Sequence, residues 1–127
     1  MGSLNDVRNP KGRLIAADQV NGTAVYSLDG ELLGIVEDIM IDKFSGRIVY
    51  AVLNCGGLLG GGKHHPLPWE TLKFDPAMGG YVVPLDRRVL EAAPAYGDTE
   101  RVSWDDRRWG ARVHDYYKAT PYWDFPG

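Results

Sequence analysis

The feature that most constrains this chain is a series of short apolar segments between residues 24 and 94, each bounded by a turn signal. The segment AVYSL is followed by Asp29-Gly30, which favours a hairpin turn because glycine accepts a positive φ. The segments LLGIVEDIMID, RIVYAVLN, HPLPW and YVVPL come next. About five such segments at this spacing are typical of a small barrel or sandwich. We therefore predict a mostly β fold.

Three of these segments have patterns that predict their place in the sheet. RIVYAVLN is apolar at both odd and even positions, which predicts a strand that is covered on both faces. In LLGIVEDIMID, Leu33 and Ile35 share one parity and Asp38 lies on the other, which predicts one buried and one wet face. Pro66 and Pro68 lack an N–H group, so HPLPW must form an edge strand or a broken one.

Two helices are predicted after the first strands. Asp86 is placed to cap the segment RRVLEAA, and Pro94 ends it. Ser103, with Asp106 three positions later, forms a pattern that often starts a helix. We expect this second helix at about residues 104–117.

Charge and cysteine content exclude several classes of protein. The net charge of −3 and the pI of about 5.5 argue against a broad nucleic-acid surface, which needs clustered Lys and Arg. Cys55 is the only cysteine, so no disulfide can form within the chain, and a reducing compartment is expected. No segment approaches the roughly 20 apolar residues of a membrane span. We expect a cytoplasmic protein without an integral membrane segment.

The glycine-rich stretch GGLLGGGKHHPLPW resembles a phosphate-binding loop but lacks its context. Such a loop needs a following helix, which Pro66 and Pro68 exclude, and a hydroxyl residue after the lysine. Adjacent histidines on a strand point to opposite faces. A structural zinc site needs four ligands at short paired spacings, and the sequence does not offer them. We prefer hydrogen-bonded histidines at the loop exit and expect no metal or cofactor. The candidate ligand-loop residues are Gly61, Gly62, Lys63, His64 and His65.

No set of nucleophile, base and orienting group emerges from the sequence. Asp38 and Asp42 are explained by a solvated sheet face, and His114 and Asp115 are helix neighbours that do not face each other. Cys55 follows a buried strand and is expected to pack as a small apolar residue. We therefore predict that the protein is not an enzyme.

The C-terminal extension is unusually aromatic, since residues 95–127 hold eight of the fourteen Phe, Trp and Tyr residues. Trp, Tyr and Arg dominate the hot spots of protein interfaces. Two arrangements remain open, one in which the extension covers its own barrel and one in which it packs on another subunit or partner. The candidate interaction residues are Trp104, Arg108, Trp109, Arg112, Tyr116, Tyr117, Tyr122 and Trp123.

Several of these motifs together resemble one known family. The stretch GTAVYSLDGELLGIVEDIMIDKFSGRIVYAVL, the glycine-rich loop and HPLPWETL are similar to the PRC-barrel domain. That domain is shared by the photosynthetic reaction-centre H subunit and the ribosome maturation factor family. The resemblance covers about residues 14–94 and implies a small, mostly antiparallel β-barrel without catalytic activity. The chain lacks the membrane helix of the first relative and the N-terminal domain of the second, so neither role is carried over.

The resemblance and the composition together predict three segments. These are a flexible N-terminal segment at 1–13, a PRC-barrel domain at 14–97 and the extension at 98–127. We expect a non-enzymatic protein that acts by protein–protein interaction, as a homo-oligomer and with an unidentified protein partner. The alternatives are a module that binds a small ligand, anion or metal, and a peripheral component of a membrane or photosynthetic electron-transfer complex.

Overall fold

The computed structural model describes residues 12–56 and 62–124, which form one six-stranded sheet and three short to medium helices. Neighbouring strands are antiparallel except β1 and β6, which run parallel, in the order β4-β3-β2-β1-β6-β5. The mostly β prediction is confirmed, and the sheet is consistent with a PRC-type barrel. The strands are β1 Ala24–Tyr26, β2 Leu32–Ile41, β3 Ile48–Asn54, β4 His64–Pro68, β5 Lys73–Asp75 and β6 Gly80–Val82.

The two long strands, β2 and β3, lie side by side within the sheet, and neither is an edge strand. In β3 the four residues 50–53 are all buried, as the two-sided apolar pattern predicts. In β2 the predicted wet and dry faces are wrong, because the register is irregular at Leu33 in the pairing with β1 and shifts again between Val36 and Asp38 in the pairing with β3. Leu33 and Val36 are therefore fully buried, while Ile35 is 43% exposed.

Strand β4 lies at one end of the sheet, as its two prolines require. Its register against β3 pairs Pro66 with Val52 and Pro68 with Tyr50. On its other side only a short bridge forms, in which His64 and Tyr96 exchange backbone hydrogen bonds of 2.8 and 3.0 Å. This bridge brings the chain after the barrel strands back to the start of β4.

The helices are α1 Ala17–Val20, α2 Arg87–Glu91 and α3 Arg107–Tyr117. Asp86 caps α2 as expected, since its side chain accepts a hydrogen bond from the Val89 amide. Helix α3 begins slightly later than predicted because Asp106, rather than Ser103, is its N-cap and accepts from the Arg108 amide. The helix ends at Lys118, which has a left-handed φ of 56°.

The core lies on the inner face of the sheet and is closed by α2. Its fully buried members include Val25, Leu33, Leu53 and Leu67 from the strands, with Leu90 from α2. Helix α3 packs against β4 and buries Gly110, Val113 and His114. The extension, which contains α3, is thus attached to the edge of the barrel that β4 forms.

Candidate functional site

The aromatic residues at the two ends of the extension meet at Tyr50, a buried residue of β3. The ring centroid of Tyr50 lies 5.8 Å from that of Trp104 and 6.2 Å from that of Tyr122. Trp123 contacts Tyr122 and the imidazole of His114. Of the predicted interaction residues, Trp104, Tyr122 and Trp123 therefore pack against the chain itself.

A buried hydrogen bond joins β3 to α3 at the centre of this cluster. Tyr50 Oη lies 3.0 Å from Nε2 of His114. Burial lowers the pKa of His114 and raises the pKa of Tyr50, so both groups are held neutral. A neutral imidazole whose Nε2 accepts from the phenol carries its proton on Nδ1, and that buried atom has no hydrogen-bond partner in the described chain.

Gly110 of α3 allows the close packing at this cluster. A Cβ atom at this position would lie 3.0 Å from the Trp123 ring and 3.2 Å from Tyr50 Oη. The guanidinium of Arg107 covers the Trp123 ring at 5.2 Å from its centroid, which adds a cation–π contact. A glycine in the first turns of α3 is thus explained by packing.

A second link between barrel and extension is built on His64. Nδ1 lies 2.7 Å from Glu37 Oε2, in the geometry of an ion pair rather than an aligned hydrogen bond. Nε2 contacts Asp98 Oδ1 at the start of the extension, and the ring stacks on Tyr96 at 5.1 Å. Two carboxylates on the two ring nitrogens require both nitrogens to carry protons, so His64 is an imidazolium.

The pKa of His64 agrees with this charge state. Desolvation lowers the pKa, but the hydrogen bond that His64 donates to Asp98 and the charges of Glu37 and Asp98 outweigh it. The net shift is upward from the ordinary value of 6.5. His64 is thus an ion-paired residue at the loop exit.

The remaining ligand-loop residues do not converge on a common point. Gly61 lies outside the described residues, Lys63 is exposed, and a Cβ at Gly62 would lie 3.5 Å from Asp98 Oδ2. His65 faces the opposite side from His64 and is buried, and burial lowers its pKa to about 4. Among residues 12–56 and 62–124, no group of three or more His, Cys, Asp or Glu is arranged to hold a metal ion.

Of the other predicted interaction residues, Arg108, Trp109 and Arg112 lie on the outer side of α3, whereas Tyr116 faces α2 and Tyr117 packs against the core. The side chain of Arg108 is 93% exposed, and the guanidinium of Arg112 lies 5.4 Å from the centroid of the Trp109 ring. Tyr116 donates a hydrogen bond to the Val89 carbonyl, which ties α3 to α2. Tyr117 is half-buried, and its buried hydroxyl has no hydrogen-bond partner in the part of the chain that the structure describes.

An open groove of about 600 Å³ runs beside this face, between α3 and the end of α2. Arg112, Asp115 and Tyr116 of α3 form one wall, and Glu91 with the segment Ala92 to Ala95 forms the other. Lys63 also lines it. We call the groove together with Arg108, Trp109 and Arg112 the α3 surface.

Five residues that organise these contacts were not among the predicted site residues. Tyr50 and Glu37 lie in segments whose pattern predicted a strand and nothing about a site. Glu37 interrupts the alternation of β2 and could have been noticed for that reason. His114 was set aside because its sequence neighbour Asp115 does not face it. Tyr96 and Asp98 lie outside any regular element, where no periodicity marks them.

The described helices include none that is both long and apolar enough to cross a lipid bilayer.

The chain matches one protein family and is similar to solved structures. The model of the PRC-barrel domain matches residues 12–90. No protein among those with curated descriptions matches the chain. The solved structures similar to it include one described as a 16S ribosomal RNA processing protein, RimM, from Pseudomonas aeruginosa. That structure is 19% identical with a TM-score of 0.44, over 63% of this chain and 50% of that one. The match thus spans half the length of that protein.

Proposed function

The chain belongs to the PRC-barrel domain family, and we propose that it is a non-enzymatic cytoplasmic protein that works by protein–protein contact and associates with a second copy of itself. The chemistry of its reactive side chains supports a non-catalytic role. Burial raises the pKa of the Cys55 thiol to about 11, which leaves little thiolate at neutral pH. The buried Tyr50–His114 pair lies within packed aromatic rings.

The observation that carries this proposal is the Trp109–Arg112 pair on the outside of α3. The other tryptophans of the extension, Trp104 and Trp123, pack on Tyr50 or His114. Trp109 instead forms its ring contact with Arg112, on the side of α3 that lies beside the groove. A tryptophan and an arginine next to a concave surface have the composition of an interface hot spot.

The charges of the α3 surface favour a second copy as the partner. Lys63, Arg108 and Arg112 are positive, while Glu91 and Asp115 are negative and line the same groove. In a twofold contact the same surface meets itself, so each arginine of one copy can face an acid of the other. A surface of mixed sign is therefore complementary to itself.

Sedimentation velocity over a wide concentration range tests the proposal. The test variant is the double substitution Trp109→Ser with Arg112→Ser. The matched control is Lys43→Ser with Phe44→Ser, because Lys43 lies 5.9 Å from the Phe44 ring centroid and Phe44 is 92% exposed. Both variants thus lose one cation–aromatic pair, although Trp109 is half-buried and Phe44 is exposed.

We expect the wild type and the control to associate as concentration rises and the Trp109/Arg112 variant to remain monomeric. A wild type that stays monomeric at every concentration, or a control that loses association equally, contradicts the proposal. Affinity purification from native cells with wild-type and Trp109/Arg112 baits then shows whether any other protein uses the same surface.

A further inference from the structure

We propose that the described part of the extension, residues 98–124, is a pH-dependent strap that is fastened to the barrel by a charged His64 at its start and by an uncharged His114 in its helix. The two attachments have opposite charge requirements. The strap is therefore held most firmly in a limited pH range and loosens on both sides of it. This inference is independent of the proposed self-association.

The first attachment requires the imidazolium form of His64. Its Nε2 contacts Asp98 of the strap, while its Nδ1 lies 2.7 Å from Glu37 of β2. Loss of one proton leaves a single N–H for two carboxylates, and the unprotonated nitrogen then faces a carboxylate lone pair. Deprotonation therefore removes the charge attraction to Asp98 even where Nε2 keeps its proton and its hydrogen bond, and this weakens the attachment of the strap.

The second attachment requires the neutral form of His114. Its Nε2 is 3.0 Å from Tyr50 Oη, and the imidazole lies among the rings of Tyr50, Tyr122 and Trp123. Protonation places a charge in a buried site and makes Nε2 a donor, so the phenol O–H loses this nitrogen as an acceptor and must point elsewhere. Protonation therefore weakens the contact between α3 and β3.

The groups around the two histidines support these charge states. His64 faces Glu37 on β2, with Asp98 and Tyr96 on the segment beyond the barrel and Lys63 and His65 on its own strand and loop. The two acids outweigh desolvation, which is the effect that lowers the pKa of His64.

The surroundings of His114 are mostly neutral. It faces Tyr50 on β3 and the rings of Tyr122 and Trp123, while the charges of Glu70 and Asp115 act on it from farther away. Those two acids raise the pKa of His114, but desolvation is the larger effect and lowers it overall.

The pH dependence follows from the direction of each shift. The pKa of His64 is raised above 6.5, so its contribution is complete below pH 6.5 and is lost as pH rises through the raised value. The pKa of His114 is lowered below 6.5, so its contribution is complete above pH 6.5 and is lost as pH falls toward the lowered value. Both contributions are therefore complete near pH 6.5.

The two attachments should differ in their sensitivity to salt. The side chain of Asp98 is 74% exposed, so dissolved ions screen its attraction to His64. The Tyr50–His114 hydrogen bond is buried and neutral, and salt has little effect on it. Only the attachment at His64 should weaken at high salt.

Native-state hydrogen exchange followed by NMR, on the full chain between pH 5 and 8.5, tests the strap. The opening constant of α3 amides is compared with that of β3 amides, which report opening of the barrel itself. We expect the α3 opening constant to be lowest near pH 6.5. It should rise on each side by up to about tenfold for every unit by which the responsible pKa departs from its ordinary value.

Two variants show which histidine causes the acid limb and which causes the alkaline limb of the curve of opening constant against pH. His64→Gln should abolish the alkaline limb and keep the acid limb, and His114→Gln should do the reverse. Imidazole NMR titration of the wild type gives a second measurement that requires no variant, with His64 titrating above 6.5 and His114 below it. A flat or one-sided curve for the wild type, a limb that survives its own substitution, or the reverse order of titration overturns the proposal.

Discussion

The phenol of Tyr50 and the imidazole of His114 form a buried hydrogen bond of 3.0 Å across 64 positions of the chain. Tyr50 belongs to β3, in which residues 50–53 are all buried, and His114 to the inner face of α3. The bond fixes the rotation of α3 relative to the sheet. The Trp109–Arg112 pair faces outward as a result, because it lies on the side of α3 away from His114.

Removal of this hydrogen bond should destabilise the fold. Tyr50→Phe leaves Nε2 of His114 buried without a donor, which we expect to lower the free energy of unfolding by about 1–3 kcal/mol. Urea denaturation at pH 7 measures the change. The matched control is Tyr117→Phe, which removes a buried hydroxyl that has no partner in the described chain and should be neutral or stabilising. Equal losses in the two variants would show that the hydrogen bond is not the cause.

The buried His65 should make the barrel sensitive to acid. Burial lowers its pKa from 6.5 to about 4, so its contribution is complete above pH 6.5 and is lost as pH falls toward 4. The maximum loss from this shift is about 3 kcal/mol in the free energy of unfolding. Urea denaturation at pH 7 and pH 4.5 should show a smaller difference for His65→Leu than for the wild type. An unchanged difference would mean that other groups cause the acid sensitivity.

The end of α3 offers a stabilising substitution. Lys118 has a left-handed φ of 56°, which costs an L-residue about 1–2 kcal/mol but is available to glycine. Lys118→Gly should raise the free energy of unfolding by about 1 kcal/mol. Lys118→Ala, which loses the same amine but keeps the strain, serves as the control. The assignment of the effect to backbone strain fails if both variants change the thermal midpoint equally.

The start of α3 should respond to pH below the range of the histidines. The backbone hydrogen bond from Arg108 is the main reason that the pKa of Asp106 is lowered from 3.8. Its capping contribution is therefore complete above pH 3.8 and is lost as pH falls through the lowered value. Hydrogen exchange of the first turn of α3 between pH 5 and 3 measures this loss.

Asp106→Asn separates the charge of this cap from its hydrogen bond. The amide oxygen of Asn still accepts from the Arg108 amide but does not titrate. Exchange in the first turn should therefore lose its acid dependence in Asp106→Asn, whereas Asp106→Ala should exchange faster at every pH. Persistence of the acid dependence in Asp106→Asn would identify another group as its source.

The sequence pattern predicted those elements whose structure depends on local chemistry. The prolines of β4 predicted an edge strand, and the apolar run of β3 predicted a buried strand inside the sheet. The prediction of the wet face of β2 was wrong because the register irregularities at Leu33 and after Val36 arise from pairing with β1 and β3, which no spacing within β2 reveals. The contacts of His64 and His114 likewise depend on distant residues, Asp98 and Tyr50, that only the folded chain brings near.

The parallel pairing of β1 with β6 determines the order in which the barrel can be completed during synthesis. Strands β1 to β4 pair in chain order and can form antiparallel contacts as they emerge. The second edge of β1 must wait for β6, whose Tyr81 aligns with Val25. Until then a nascent chain exposes an open strand edge that other chains can pair with. A slow stage of translation between β4 and β6 therefore prolongs the time during which this edge is open to such pairing.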